Sequence, residues 1–256
     1  MKSVSIIGLN TWGLSLARYL KQFGYDVKGS TRTYEKVESA RLQGLEAYQL
    51  ELTPELNAAP EDINALFNVD ALVINIPPSR YFFHNHEYVK SIQNIINEAL
   101  LHTVSQIIFI SSTTVLGTQP GILNENTPPQ PYNEVTHALT QIESMLAKLD
   151  DIDCDILRLG KFIDPNLISR HSTQDNLLSS LNLIHEEDCC RAVYLLLKMP
   201  CGRRLYHLVA PTPQIQYFLK HHASQEDRQQ AEQQIIEGTK ICQELGFVYQ
   251  NPEIFA

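Results

Sequence analysis

The chain has 256 residues, 43 % of them hydrophobic, and a formal charge of −9. That length suits one large domain, or a core with a small appendage, and an acidic chain gains nothing from the phosphate-backbone attraction that drives nucleic-acid binding. The longest apolar runs, residues 70–76 and 106–110, are strand-length and fall far short of the roughly 20 residues of a membrane span, so neither a nucleic-acid nor a membrane partner is expected.

Val4 to Ile7 form a β-branched strand pattern, and residues 12–23 carry helical apolar spacing at Leu14, Leu16, Ala17 and Leu20, closed by Gly24. A second strand is expected over 25–28, a charged helix over 34–42, and, after Gly44, a third strand over 46–52. A short helix over 61–67 precedes a fully apolar strand over 70–76 and a long helix over 81–101. A fifth strand over 105–112, a Pro- and Asn-rich surface loop over 119–131, a helix over 132–149 and a sixth strand over 154–159 follow. The remainder reads as a helix over 185–198, a short strand over 205–209, a Gln-rich polar helix over 225–245 and an irregular tail over 246–256. Regular alternation with near-continuous apolar strands means a parallel sheet covered on both faces. The expected fold class is therefore α/β, a doubly wound parallel sheet (Rossmann fold) with a small C-terminal cap. The core is expected over 1–160 and the cap over 161–256, packed as one globular unit.

The N-terminus, MKSVSIIGLN, enters a strand without the charged and longer apolar regions of a secretory signal, so a cytoplasmic location is expected. Cys154, Cys189, Cys190, Cys201 and Cys242 make an odd count with no C-x-x-C spacing. Reduced thiols, with the adjacent Cys189 and Cys190 buried, fit better than a disulfide framework or a zinc site. His221 and His222 lack matching ligands, so no metal is expected.

The first strand ends in Gly8-Leu9-Asn10-Thr11-Trp12-Gly13. This is the dinucleotide fingerprint G-x-G-x-x-G with Asn10 at the middle glycine. The first glycine permits the tight turn, the last permits close helix–strand packing, and the pyrophosphate rests on the helix N-terminus. Asparagine tolerates left-handed backbone better than most residues, which is the expected reason for Asn10. The motif follows a strand, opens a helix and precedes a second strand, the context it requires. The end of that second strand reads Lys28-Gly29-Ser30-Thr31-Arg32-Thr33. No carboxylate is there to bind a ribose 2′-hydroxyl. Ser30, Thr31 and Arg32 instead suit a 2′-phosphate, so NADP is the expected cofactor ahead of NAD.

These residues, together with IFISSTTVLG (108–117), ILRLGKFIDP (156–165), LIHEEDCCRAV (183–193) and the C-terminal KICQELGFVYQNP, resemble the short-chain dehydrogenase/reductase superfamily, in its extended or atypical, NAD(P)-dependent epimerase/dehydratase-like branch. The resemblance implies a cofactor lying across the carboxyl ends of the strands. It implies that Asn75, Ile76 and Pro77 back the nicotinamide ribose, that Ser111 and Ser112 lie beside the nicotinamide, and that Ser112 takes the place of the catalytic Ser/Thr. It allows a homodimer.

The superfamily's chemistry rests on Tyr-x-x-x-Lys, whose cation helps the phenol exchange a proton during hydride transfer. Here Tyr132 is followed four residues on by Thr136. A register set by Glu143, which resembles a helix glutamate of the family, puts Val135 and Leu139 at the two positions instead. Either register leaves the dyad incomplete. Glu134, His137 and Lys161 are candidate substitutes, each readable equally as a solvated surface residue. His185 and Asp188 read either as a site with His185 at the substrate cleft or as a helix start, with the acids complementing the dipole and His185 bonded to a neighbouring loop. Two functions stay open: an NADP-dependent oxidoreductase or epimerase-like enzyme on a small polar metabolite, with Ser112 orienting a carbonyl or hydroxyl, and a non-catalytic NADP(H)-binding redox sensor or interaction protein. A short cap disfavours a large nucleotide-sugar substrate.

Overall fold

The structure is a computed structural model that describes residues 2–78, 85–150, 152–162, 182–210 and 234–250. In chain order its elements are β1 (Ser3–Ile7), α1 (Thr11–Gln22), β2 (Asp26–Thr31), α2 (Tyr34–Leu42), β3 (Glu46–Gln49), β4 (Glu51–Leu52), β5 (Leu56–Asn57), α3 (Pro60–Phe67), β6 (Ala71–Ile74), α4 (Asn85–Leu101), β7 (Gln106–Ser112), a 3-10 turn (Thr113–Leu116), β8 (Gly121–Leu123), α5 (Glu134–Leu146), β9 (Asp153–Leu159), β10 (Lys161–Phe162), β11 (Leu183–Ile184), α6 (Glu186–Lys198), β12 (Arg203–Leu208), β13 (Gln234–Ile236) and α7 (Lys240–Leu245).

The central sheet has seven strands in the order β12-β9-β7-β6-β1-β2-β3. β3, β2, β1, β6 and β7 pair in parallel. Cys154 N donates to Gly202 O at 2.7 Å and Gly160 N to Leu208 O at 2.9 Å, one constant sequence offset, as a parallel β9–β12 pair requires. This is the Rossmann-type α/β fold. Strands covered on both faces must be apolar throughout, and Ala71, Leu72, Val73 and Ile74 of β6 are fully buried. α1 buries Leu16, Ala17 and Leu20, and α4 buries Ile92, Ile95, Ile96 and Ala99, one helical stripe each. The chain runs β1, β2, β3 in one direction and returns to place β6 on the other side of β1. Such a reversal opens a crevice at the carboxyl ends of β1 and β6, where open α/β sheets take ligands.

The chain divides into two compact units, interleaved in sequence. The first holds Met1–Ser111, Asn133–Ile156 and Leu196–Arg204. At the amino ends of its strands, Asp155 accepts from Arg204 Nε and Nη2, the latter at 3.0 Å, and from Gln106 Nε2 at 2.9 Å, while Lys2 Nζ donates to Gln106 Oε1 at 3.0 Å. The second holds Ser112–Tyr132, Leu157–Leu195 and Leu205–Ala256. There Asp188, 1 % exposed, accepts from Arg191 Nη1 and from Gln250 N, both at 3.0 Å. The guanidinium of Arg191 also lies 5.4 Å from the Phe247 ring centroid. The expected irregular tail is thus pinned through residue 250 by the acid at the start of α6.

Several boundaries differ from the sequence reading. The expected strand over 46–52 stops at Gln49, because Glu51–Leu52 turns back to pair antiparallel with Leu56–Asn57. The expected Gln-rich helix is broken: Gln234–Ile236 is a strand paired in parallel with Gly121–Leu123, inside the expected 119–131 loop. Gly238 then lies so close to Val209 O that a Cβ there would come within 2.4 Å of it, and helix begins only at Lys240. Residues 225–233, His221 and His222, and the first turn of the expected 81–101 helix lie outside the described residues. Among the described residues, no helix is long and apolar enough to cross a membrane and no cluster of potential metal ligands occurs. Cys154, Cys189 and Cys190 are buried and Cys201 is exposed.

Candidate cofactor and active site

The first unit carries the dinucleotide turn. Gly8 sits at φ +109°, and a Cβ on it would lie 2.3 Å from the backbone oxygen of Asn75. Both the left-handed backbone and the approach of the β6 end demand glycine. Gly13 is equally confined, with a virtual Cβ 2.4 Å from Gly8 O. Between them, Asn10 is not left-handed. It sits at φ −73°, ψ −174° as the N-cap of α1, its Oδ1 accepting from Gly13 N at 2.9 Å. The expected backbone reason for asparagine is therefore replaced by a side-chain one: it caps the helix.

Asn75, 6 % exposed, locks this turn to β6. Its Nδ2 donates to Gly8 O at 3.0 Å and to Asn10 Oδ1 at 3.1 Å, and its N donates to Ile7 O at 2.9 Å. Ile76 O accepts from the buried Tyr88 hydroxyl at 2.6 Å, which fixes the segment leading to the exposed Pro77. Within the turn, Asn10 and Thr11 are exposed, whereas Trp12 is buried and joins the core. The first turn of α1 holds no acidic residue, so nothing there opposes the anion preference of a helix N-terminus.

At the end of β2 the three residues expected to meet a 2′-phosphate separate. Ser30, 3 % exposed, accepts from Gly8 N through Oγ at 3.3 Å, and its carbonyl accepts from Leu9 N at 2.8 Å. Thr31, 7 % exposed, donates to Thr33 O at 3.1 Å. Both residues are buried because β2 runs to Thr31 rather than ending at Lys28, which carries them into the sheet, Ser30 against the dinucleotide turn and Thr31 against Thr33 O. Arg32 alone is exposed.

Ser111, expected beside the nicotinamide, is 5 % exposed and donates through Oγ to Glu143 Oε1 at 2.6 Å. Glu143 is itself buried on α5. Asn133 caps α5 in a reciprocal box with Thr136: Thr136 N donates to Asn133 Oδ1 at 2.9 Å, and Asn133 N donates to Thr136 Oγ1 at 3.1 Å. The residue four after Tyr132 therefore closes a helix end. Its sequence signal, N-x-x-T at a helix start, was readable. In the other register Leu139 is buried and Val135 is 39 % exposed. Glu134 and His137 are exposed.

In the second unit, Ser112 accepts through Oγ from Thr114 N at 3.2 Å and from Thr114 Oγ1 at 2.9 Å, capping the 3-10 turn. A hydroxyl loaded as acceptor keeps its own proton to give. Tyr132 is 62 % exposed, and Lys161 is exposed on β10. His185 Nδ1 accepts from Glu187 N at 3.2 Å, capping its own helix. Two residues absent from the candidate set are deeply placed here. Arg158 and His207 are 2 % and 0 % exposed, with Arg158 Nη1 3.4 Å from His207 Nε2. Burial first, then the Arg158 charge, holds the His207 imidazole down at about 3.

This geometry can be set against known proteins. Residues 11–205 match the NAD dependent epimerase/dehydratase family. The chain is 36 % identical over 270 aligned residues to Protein YeeZ of Escherichia coli (strain K12), covering 99 % of this chain and 97 % of that protein. Its fold is similar to UDP-glucose-4-epimerase from Stenotrophomonas maltophila with bound NAD and formylated UDP-arabinopyranose, at TM-score 0.72 and 15 % identity over 98 % of this chain and 94 % of that one. It is similar too to a short-chain dehydrogenase/reductase superfamily protein from Agrobacterium tumefaciens with bound NAD, at TM-score 0.72 and 13 % identity over 97 % of this chain and 92 % of that one. With its Gly8–Gly13 turn at the β1–β6 crevice, the chain belongs to the NAD dependent epimerase/dehydratase family.

Proposed function

We propose that this chain is an NADP(H)-binding oxidoreductase or epimerase-like enzyme acting on a small polar metabolite. The observation that carries the reading is the cradle formed by Gly8, Gly13 and Asn75, where two absent side chains let the turn close against the β6 end and set the amino end of α1 at the sheet's switch point. A dinucleotide fits that cradle: the amino end of α1, with Asn10 and Thr11 exposed, faces an anion, and the Asn75–Ile76–Pro77 strand end backs the ribose. The cofactor supplies or accepts a hydride. Ser112 orients a substrate carbonyl or hydroxyl by a hydrogen bond from its hydroxyl. Selection of NADP over NAD rests on Arg32, the exposed guanidinium after β2, because Ser30 and Thr31 are buried in the end of that strand.

A second reading, a non-catalytic NADP(H)-binding sensor, is favoured by one specific observation. Neither register of α5 presents a cation: Thr136 is tied into the capping box and Leu139 is buried. Titration of the protein with NADPH and NADH tests the shared premise. Tighter NADPH binding is expected, with Arg32→Ala erasing most of the preference, about tenfold or more for a lost charge-assisted bond. Equal affinities in the unmutated protein would remove the NADP assignment. Oxidation of bound NADPH by small aldehydes, ketones or keto acids separates enzyme from sensor.

A further inference from the structure

We propose that Asn10 is itself a phosphate ligand, its side-chain amide supplying a donor that the glycine of the usual fingerprint cannot. The inference rests on the dinucleotide reading above and names which chain atom meets the pyrophosphate.

The amide of Asn10 has two ends in different circumstances. Its Oδ1 is held by Gly13 N at 2.9 Å and by Asn75 Nδ2 at 3.1 Å. Two donors converging on one atom make that atom the oxygen, so the orientation of the amide follows from its surroundings. The Nδ2 end carries two protons. One contact, to Asn75 O, is at 3.5 Å, the outer limit of a hydrogen bond. The underused end of the amide is thus a donor, on an exposed residue, at the amino end of α1. Asn75 acts as the positioning residue: by giving its own Nδ2 to Asn10 Oδ1 it keeps the oxygen turned inward and the donor end turned away from it.

The charge pattern gives this donor its importance. From Gly8 to Ala17 there is no lysine or arginine. The turn itself therefore offers a phosphate neutral dipoles, those of the helix end and of Asn10. Gly13 N, one of the amides a helix end leaves unpaired, is already taken by Asn10 Oδ1. What the asparagine takes from the anion with its oxygen it returns with its nitrogen. A serine at this position could keep the cap but could not return the donor.

The test is titration of the full chain with NADPH, comparing wild type, Asn10→Ser and Asn10→Gly, with the ligand-free Tm of each. Asn10→Ser keeps an N-cap oxygen, so its Tm should stay near wild type while NADPH binding weakens about tenfold, the low end for one hydrogen bond to a charged group. Asn10→Gly removes the side-chain donor but frees Gly13 N for the anion, so it should bind more tightly than Asn10→Ser and no more tightly than wild type. If Asn10→Ser binds NADPH as tightly as wild type, Asn10 is only a helix cap and the inference fails while the dinucleotide reading stands. If Asn10→Gly binds more tightly than wild type, the side chain obstructs the turn and the inference is overturned. A wild-type chain that binds neither NADPH nor NADH overturns the dinucleotide reading, and this inference with it.

Discussion

Ser111 Oγ donates to Glu143 Oε1 at 2.6 Å, joining the end of β7 to the third turn of α5. The contact fixes which face of α5 meets the strand end. One turn toward the helix start on that face is Leu139, and the next is Val135 and Thr136. Under the register that Glu143 sets, the family's proton-transfer pair would fall at Val135 and Leu139, both apolar.

The pair is also structural. Both residues are buried, so removing the acceptor strands a buried hydroxyl, at a cost of about 1–3 kcal/mol. Glu143→Leu should lower stability by that amount in chemical denaturation, whereas Glu143→Gln, which keeps an acceptor oxygen, should lose less. Equal losses for both would show that charge, not the hydrogen bond to Ser111, matters at this position.

Glycine geometry gives a sharper test of the turn. A Cβ on Gly13 would press against Gly8 O at 2.4 Å, backbone that cannot yield, and lie 3.0 Å from Asn75 Nδ2. Gly13→Val should therefore abolish NADPH binding in a chain that still shows folded circular dichroism. Gly24, at φ +80°, has nothing within 4 Å of its virtual Cβ. Gly24→Ala should destabilise by about 1 kcal/mol through backbone strain and leave NADPH affinity unchanged. Retained binding in Gly13→Val would place the ligand elsewhere.

Much of this was legible in the sequence because it is local. The apolar run ending at Ile74, the stripe Leu16–Ala17–Leu20 and the Gly8–Gly13 spacing each declare themselves within a few residues. What escaped depends on partners far along the chain. Asn10 is explained by Asn75, and Ser30 by Gly8, whose amide reaches its hydroxyl only after the chain has made a full β-α-β turn. The strand at Gln234–Ile236 hid in a glutamine-rich window of helical character, because its pairing partner lies at Gly121–Leu123 and its Gln234 side chain bonds Gly117 O. His207 looked like any strand residue, since no local pattern shows that Arg158 will be buried against it.

His207 gives a pH prediction. Its folded pKa is about 3 against an ordinary 6.5, lowered by burial and then by Arg158, with the Glu237 backbone opposing. Below pH about 6.5 the unfolded chain takes up a proton that the folded chain refuses. The stability His207 contributes is thus complete above pH 6.5 and is lost progressively as pH falls toward 3. His207→Gln, neutral throughout and able to accept from Arg158, should show a smaller fall in Tm between pH 7 and pH 4.5 than wild type. An unchanged fall would assign the acid sensitivity to other groups.

The last prediction concerns Tyr132, which one register would make the proton donor. A phenol that exchanges protons near neutral pH needs a cation close by, and in this family the residue four positions on provides it. Here that residue is Thr136, 1 % exposed, with its hydroxyl donating to Asn133 O at 2.9 Å and accepting from Asn133 N at 3.1 Å. It carries no charge and cannot turn away without opening the cap of α5. Tyr132 precedes that cap and is 62 % exposed. A helix end favours a nearby anion by only about 0.3–1 kcal/mol, less than one pKa unit. The helix therefore does not replace the lysine. Tyr132→Phe should leave NADPH affinity nearly unchanged and lower any measured turnover by less than about tenfold, roughly 1.4 kcal/mol. Thr136→Lys should not create a working dyad; it should instead lower stability by about 1–2 kcal/mol, the cost of a lost cap and a buried stem. A thousandfold loss of turnover in Tyr132→Phe, with NADPH binding intact, would show that this phenol transfers the proton and that another cation of the chain has taken the lysine's place.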